Sequence, residues 1–207
     1  MIDLYTWTTP NGRKVSVMLE ECALPYTVHP VNIREGEQFK PEFVKICPNS
    51  KIPAIVERES GLSIFESGAI LLHLAEKTGK FIPKSEAGRA KVYEWLFWQM
   101  ANVGPMLGQT NHFVNTAAEK IPYAINRYMT ESARLVKLMD DQLARTEYLA
   151  GDYSIADIAT YPWISAAYGL VRNAKADVAG EAKNVERWVT AIGARPAVAK
   201  GMAVPKL

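Results

Sequence analysis

Along the first eighty residues the apolar positions switch repeatedly between an alternating rhythm and a helical one. Ile2 to Trp7 is a run of β-formers that stops at Thr8-Thr9-Pro10-Asn11-Gly12, which predicts a buried strand followed by a loop. From Arg13 onward, Val15, Val17, Met18, Leu19 and Cys22 predict a helix that ends before Pro25. Tyr26 to Val31 alternates as a second strand. Phe39, Phe43 and Ile46 fall three or four apart after the loop at Arg34 to Glu37, and predict a second helix. Ile52-Pro53-Ala54-Ile55-Val56 and Leu62-Ser63-Ile64 read as two strands joined by a turn at Ser60-Gly61. Ser67 then opens a helix through Ala69, Ile70, Leu72, Leu74 and Ala75 that closes near Gly79.

The order β-α-β-α-β-β-α resembles a thioredoxin-like domain. Pro83, Ser85 and Gly88 mark a linker, so the expected division is residues 1–80, a linker at 81–87, and a second domain over 88–207. Beyond the linker the strand pattern stops. Tyr93, Leu96, Phe97 and Met100 recur at helical spacing, as do Tyr128, Leu135, Leu138 and Met139 ahead of Leu143. Ser154-Ile155-Ala156-Asp157 has the form of a capping box, with Tyr153 placed to staple onto Ile158. A last helix is expected from Val185 to Ile192, stopping before Arg195-Pro196. The expected fold is therefore α+β and thioredoxin-like in the N-terminal part, followed by an all-α C-terminal domain of about five helices.

Composition narrows the function classes. The chain has 207 residues, 48% of them hydrophobic, and its 24 Lys+Arg against 22 Asp+Glu give a net charge of +2. The charges are scattered without a polybasic run, which argues against nucleic acid as a partner. No stretch approaches the ~18 apolar residues of a membrane span, and Asp3 stands where a secretory signal carries base. Two cysteines, Cys22 and Cys47, are too few for a disulfide framework and form no C-x-x-C pair. The expectation is a soluble cytoplasmic protein.

His29, His73 and His112 lie far from each other and from cysteine, so no metal is expected. Phosphate-loop, dinucleotide and nucleophile-elbow patterns are absent. Trp95, Trp98, Trp163 and Trp188 fall in helical patterns where core packing is the ordinary use. Three features of the first domain remain. Pro53 opens a strand, and its X-Pro bond can be cis or trans; if cis, Ile52 N–H and C=O are left to pair with an extended peptide. Glu66-Ser67 stands at a strand-to-helix junction, either as a plain cap or as a spot for a carboxylate and an ammonium together. Thr9 and Asn11, before or at a helix start, are either turn and cap residues or donors aimed at an anion such as a thiolate. Holding a thiolate at neutral pH asks ~1.4 kcal/mol per pKa unit, within reach of one or two charge-assisted hydrogen bonds.

Ser50-Lys51-Ile52-Pro53-Ala54-Ile55, the Glu66-Ser67 pair and Tyr153-Ser154-Ile155-Ala156-Asp157 stand at the spacing found in soluble glutathione transferases, and the resemblance covers essentially the whole chain. Thr9-Pro10-Asn11-Gly12, Leu96-Phe97-Trp98-Gln99, Gly104-Pro105-Met106-Leu107-Gly108-Gln109 and Ile121-Pro122-Tyr123-Ala124-Ile125 are similar to the bacterial nu class, the disulfide-bond reductase type. The resemblance implies a cis Ile52–Pro53 bond, with Thr9 and Asn11 beside the glutathione sulfur. It implies Ile52 and Pro53 along the cysteinyl backbone, Glu66 and Ser67 at the γ-glutamyl end, and Gln38 and Lys51 at the glycyl carboxylate. Arg134 would reach the site from the second subunit of a homodimer, Asp157 would be structural, and Asn111, His112 and Phe113 would line the second-substrate pocket.

Many relatives in other classes place a Tyr, Ser or Cys at the first strand's end. Here no cysteine precedes Cys22, Tyr5 lies inside the strand, and Cys47 reads as a small buried thiol. The implied activity is disulfide reduction by bound reduced glutathione, with oxidised glutathione as the other occupant and no enzyme thiol. The alternatives are glutathione conjugation to electrophiles or peroxidase activity, a non-catalytic interaction module, and a ligand carrier.

Overall fold

The computed structural model describes residues 1–206, and the chain divides into two compact units. The first comprises Met1–Ile82 together with the segment from Gly193 onward, and the second is Pro83–Ile192. The boundary near residue 82 falls in the stretch the sequence marks as a linker. The tail does not stay with the helical part that precedes it, as the expected 88–207 domain required.

The first unit is built on a four-stranded sheet of order β2-β1-β3-β4, with β1 (Ile2–Thr6), β2 (Tyr26–Pro30), β3 (Ala54–Glu57) and β4 (Ser63–Phe65). β1 runs parallel to β2 and antiparallel to β3, which is antiparallel to β4. Alternation sends neighbouring residues to opposite faces. Leu4 and its partner Ile55 point to one face, into a core with Val15, Met18, Ile70, Leu71 and Leu74 from α1 (Pro10–Cys22) and α3 (Ser67–Thr78). Tyr5 and Ala54 point to the other, where Val31, Phe43, Cys47, Ile46 and Ile52 form a second apolar cluster. Tyr5 stacks on His29 at 4.8 Å and lies 6.2 Å from Phe43, a packing role inside the strand.

One expected helix is redrawn and one further helix is added. The helix predicted through Phe39, Phe43 and Ile46 is a 3-10 turn, Glu37–Phe39, followed by the short α2 (Pro41–Val44). Pro41 restarts the chain because it cannot donate inside a continuing helix, and Phe39 is left exposed. At the other end Arg195-Pro196 does not close the fold. Pro196 occupies the first turn of a further helix, α10 (Pro196–Met202), where a missing N–H costs nothing. That helix packs on α1 so closely that a Cβ on Gly201 would lie 2.5 Å from Val17 Cα, while Ser16 Oγ donates to the Gly201 carbonyl at 2.7 Å. Arg195 binds Glu21 through both its Nε and Nη2, fixing the start of α10.

The second unit is helical: α4 (Glu86–Trp98), α5 (Gly104–Asn111), α6 (Pro122–Leu143), α7 (Ile155–Ala174), α8 (Ala176–Ala179) and α9 (Lys183–Gly193). Wide π-type turns at Gln99–Val103 and His112–Thr116 interrupt the α4–α5 stretch and follow α5. The α6 face carrying Met129, Ala133, Val136, Met139 and Leu143 is buried. Buried Asp157 organises the start of α7: it accepts from the Leu149 and Ser154 N–H groups and from Trp188 Nε1, at 3.0, 3.0 and 2.9 Å. Ser154 completes the expected capping box. No helix of the described residues is long and apolar enough to cross a membrane.

Candidate functional site

Three backbone junctions of the first unit meet at one end of β3. The β1–β3 register pairs Tyr5 with Ala54. Carried two residues further, it sets Ile52 opposite Trp7, just before Thr9 and Asn11. The β3–β4 register pairs Ala54 with Phe65, so Glu66 and Ser67 follow directly on the other side of Pro53. The sequence-predicted residues Thr9, Asn11, Ile52, Pro53, Glu66 and Ser67 thus follow or precede the paired strands at one end of the sheet.

At the first junction α1 starts at Pro10, three residues earlier than the apolar pattern suggests, because Thr9 is the cap: its Oγ1 accepts the Gly12 N–H at 3.1 Å. A hydroxyl that accepts through one lone pair still has its proton to donate. Asn11 sits in the first helical turn, half-buried. The chain can turn this tightly only with glycine next, since a Cβ on Gly12 would lie 2.3 Å from Thr6 Oγ1 and 2.5 Å from the Trp7 carbonyl oxygen.

At the second junction the Ile52–Pro53 bond is cis. Among the described residues nothing bonds to the Ile52 N–H or C=O, so one rung of backbone donor and acceptor stands open in the register that faces Trp7. The approach to Ile52 is held from beneath, where Cys47 Sγ donates to the Lys51 carbonyl at 3.2 Å. The Lys51 side chain is exposed. Gln38, in the 3-10 turn, carries a buried side-chain oxygen with no protein partner.

At the third junction Glu66 caps α3 with φ 70°, a left-handed value uncommon outside glycine, and its exposed carboxylate makes no capping bond. Ser67 is buried in the first turn, and Lys14 Nζ lies 3.4 Å from its Oγ. Lys14 is 1% exposed, and burial pushes its ammonium down to about 7 while the Glu66 carboxylate pulls it back up. Sequence reasoning missed this residue. A signal was present, since Lys14, Met18 and Cys22 form one i, i+4 stripe on the buried side of α1.

Other predicted residues lie elsewhere. Arg134 is on α6 in the second unit, in a two-pronged pair with Glu131 at 2.7 and 2.8 Å. Asn111 accepts from Asn115, while His112 packs edge-on against Phe113, which stacks on Tyr128 at 5.4 Å. A cavity of about 270 Å³ lies on the Tyr5 face of the sheet between His29, Phe43 and Ile46, and no predicted site residue lines it.

Residues 1–76 match the family model of the Glutathione S-transferase N-terminal domain and residues 116–196 that of the C-terminal domain. The chain is 51% identical over 172 residues to Disulfide-bond oxidoreductase YfcG of Escherichia coli, covering 80% of each chain. It is 42% identical to Disulfide-bond oxidoreductase YghU of the same organism, over 98% of this chain and 74% of that one. Among solved structures, a glutathione transferase of Burkholderia graminis with two glutathione molecules bound per subunit superposes with TM-score 0.92 at 42% identity, over 99% of this chain and 88% of that one. One from Pseudomonas putida with one glutathione disulfide bound per subunit gives TM-score 0.90 at 40% identity, over 99% and 91%. With both domain models and the relatives in agreement, this chain belongs to the glutathione S-transferase family.

Proposed function

We propose that the protein is a glutathione-dependent disulfide-bond reductase of nu-class type, in which bound glutathione supplies every reacting thiol. The observation that carries this reading is the state of the two cysteines: Cys22 and Cys47 are 5% and 1% exposed, and Cys47 is turned onto a backbone carbonyl. A protein thiol so enclosed cannot attack a disulfide in line. Further support comes from the relatives named as disulfide-bond oxidoreductases and from neighbours holding two glutathiones or one glutathione disulfide.

In this reading the cysteinyl part of glutathione pairs with the open Ile52 rung as an added strand along Pro53. Its sulfur then faces the loop where Thr9 Oγ1–H and the Asn11 amide supply neutral donors at the positive end of α1. Glu66 takes the γ-glutamyl ammonium and Ser67 its carboxylate. Lys51 and Gln38 take the glycyl carboxylate; turning the Gln38 amide over puts an N–H where its unpartnered oxygen now lies. Arg134 completes the site from the second subunit of a homodimer.

The chemistry is two exchanges. The first glutathione thiolate attacks one sulfur of the substrate disulfide, forming a mixed disulfide and expelling the other sulfur as thiolate, which takes a proton from water. The thiolate of a second glutathione attacks the glutathione sulfur of that mixed disulfide. Oxidised glutathione forms and the remaining substrate thiolate leaves. Two glutathiones are oxidised for each disulfide reduced to two thiols. The protein contributes orientation and thiolate stabilisation. A reaction that consumes reduced glutathione suits the cytoplasm.

The test is steady-state reduction of a small disulfide by glutathione, run beside conjugation of an aromatic chloride. Disulfide reduction exceeding conjugation is expected; the reverse favours the conjugating transferase. Calorimetry with no heat for reduced or oxidised glutathione would favour a non-catalytic module.

A further inference from the structure

We propose that the cavity on the Tyr5 face of the sheet is a second binding site, for a small aromatic amine whose ring lies among Tyr5, Phe43 and Ile46 and whose ammonium pairs with Glu42 at the mouth. None of the residues assigned to glutathione lines this cavity, so the inference goes beyond the glutathione reading and does not depend on it.

The space measures about 270 Å³, and part of its wall is apolar, with Val31 and Phe43 buried beside Ile46 and the Tyr5 ring. An apolar cavity of ~150 Å³ is enough to hold benzene, so this one has room for a single ring with a short chain. Its polar walls are tied in place. His29 Nε2 is held by Asp3 at 2.7 Å, and Arg58 grips both oxygens of that carboxylate at 2.9 and 2.7 Å. The imidazole, stacked on Tyr5 at 4.8 Å, is thus not free to swing into the space. On the loop side Glu37 accepts from the Asn32 N–H through one oxygen and from Lys40 Nζ through the other, both at 2.7 Å. Phe39, which the apolar spacing sets in line with Phe43 and Ile46, is turned out to 67% exposure and does not line the cavity. The hollow therefore keeps two members of an apolar face and lacks the ring of the third. A pocket held open in advance costs its ligand little reorganisation.

The charges at the mouth select the sign of the ligand. Lys40 is the lysine there, and Glu37 already holds its ammonium. Glu42 and Glu35 add further negative charge around that ammonium. Glu42 lines the cavity, is exposed, and has no hydrogen-bond or ion-pair partner among the described residues. An arriving anion would meet three carboxylates and a committed ammonium, whereas a cation meets an open carboxylate. The rings of Tyr5 and Phe43, 6.2 Å apart and tilted by 52°, favour an aromatic group between wall and mouth over an aliphatic chain.

Calorimetry on the full chain with 2-phenylethylamine is the test. It is set beside 3-phenylpropionate, which has the ring and the opposite charge, and butylamine, which has the charge and no ring. A Kd below about 1 mM is expected for 2-phenylethylamine, with both comparison compounds at least about 10-fold weaker. Glu42→Gln should weaken 2-phenylethylamine about 3- to 5-fold and leave uncharged 2-phenylethanol within about 1.5-fold. Ile46→Trp should fill the space and abolish binding of both ring compounds, while glutathione binds as in the wild type. Should Ile46→Trp fail to fold, the ring-proton resonances of the three histidines locate the ligand in the wild type, because His29 walls the cavity and His73 and His112 do not. A shift confined to His29 is expected. No binding of 2-phenylethylamine, equal binding of 3-phenylpropionate, unchanged affinity in Glu42→Gln, or shifts at His73 or His112 without one at His29 would each overturn the proposal and leave the glutathione reading untouched.

Discussion

Cys47 Sγ donates to the Lys51 carbonyl at 3.2 Å, so the thiol nearest the Ile52 rung is a brace under the backbone and not a nucleophile. Replacing both cysteines, Cys22→Ala with Cys47→Ala, should leave glutathione-dependent reduction of a small disulfide within about threefold of wild type. The loss of the Cys47 bond should cost about 0.5–1.5 kcal/mol of stability, read by denaturant unfolding. A fall in rate of more than tenfold in a folded double variant would show that an enzyme thiol takes part.

Thr9 and Asn11 have separable duties at the start of α1. Asn11→Ala should lower turnover about 10- to 100-fold, the value of one hydrogen bond to a charged group, and shift the rate profile toward higher pH as the bound thiol loses stabilisation. Thr9→Ala should lower turnover equally or less, and should also cost about 1 kcal/mol in stability because its Oγ1 caps the helix at Gly12. Thr9→Ser keeps both functions and should restore both measurements. Unchanged turnover in both alanine variants would mean that the sulfur lies elsewhere.

The residues gathered at this end of the sheet are readable because each marks an element boundary: a proline opening a strand, a serine at a helix start, a Thr-Pro-Asn-Gly turn. Sequence alone left each with an ordinary alternative; strand register, which pairs Tyr5 with Ala54 and Ala54 with Phe65, brings them together. Lys14 escaped notice because a lysine on a helix is ordinarily solvated, and burial is a property of the packed partner, not of the residue. The wide turn at Gln99–Val103 spans only five residues, too short a stretch for the apolar spacing to show a period of its own. Pro196 was ambiguous by chemistry, since proline both ends one helix and begins the next.

The seat of α10 offers a stability test independent of glutathione. A Cβ on Gly201 would meet the Val17 nitrogen at 2.6 Å and its Cα at 2.5 Å, and main chain cannot move aside as a side chain would. Gly201→Ala should therefore lower stability by about 1–3 kcal/mol and expose α10 to proteolysis, with Ser16 losing its bond to the Gly201 carbonyl. An unchanged melting temperature would contradict this packing.

Asp157 ties stability to pH. It is fully buried, and burial pushes it up to about 6 against the pull of the Leu149, Trp188 and Ser154 donors. When protonated, it can donate to Ser154 Oγ, 3.2 Å away, while still accepting from Leu149 and Trp188. Between an unfolded value of 3.8 and the folded value of about 6, the native chain holds a proton that the unfolded chain releases. Its contribution to stability therefore falls as pH rises through that window and is level above it. Asp157→Asn removes this titration and leaves the Ser154 N–H facing an amide, costing about 1–3 kcal/mol at pH 7. Subtracting the variant's unfolding free energies from the wild type's isolates Asp157 from the other carboxylates. That difference should decline between about pH 4 and pH 6 and stay constant from 7 to 8; a difference that rises with pH would mean that the donors outweigh burial.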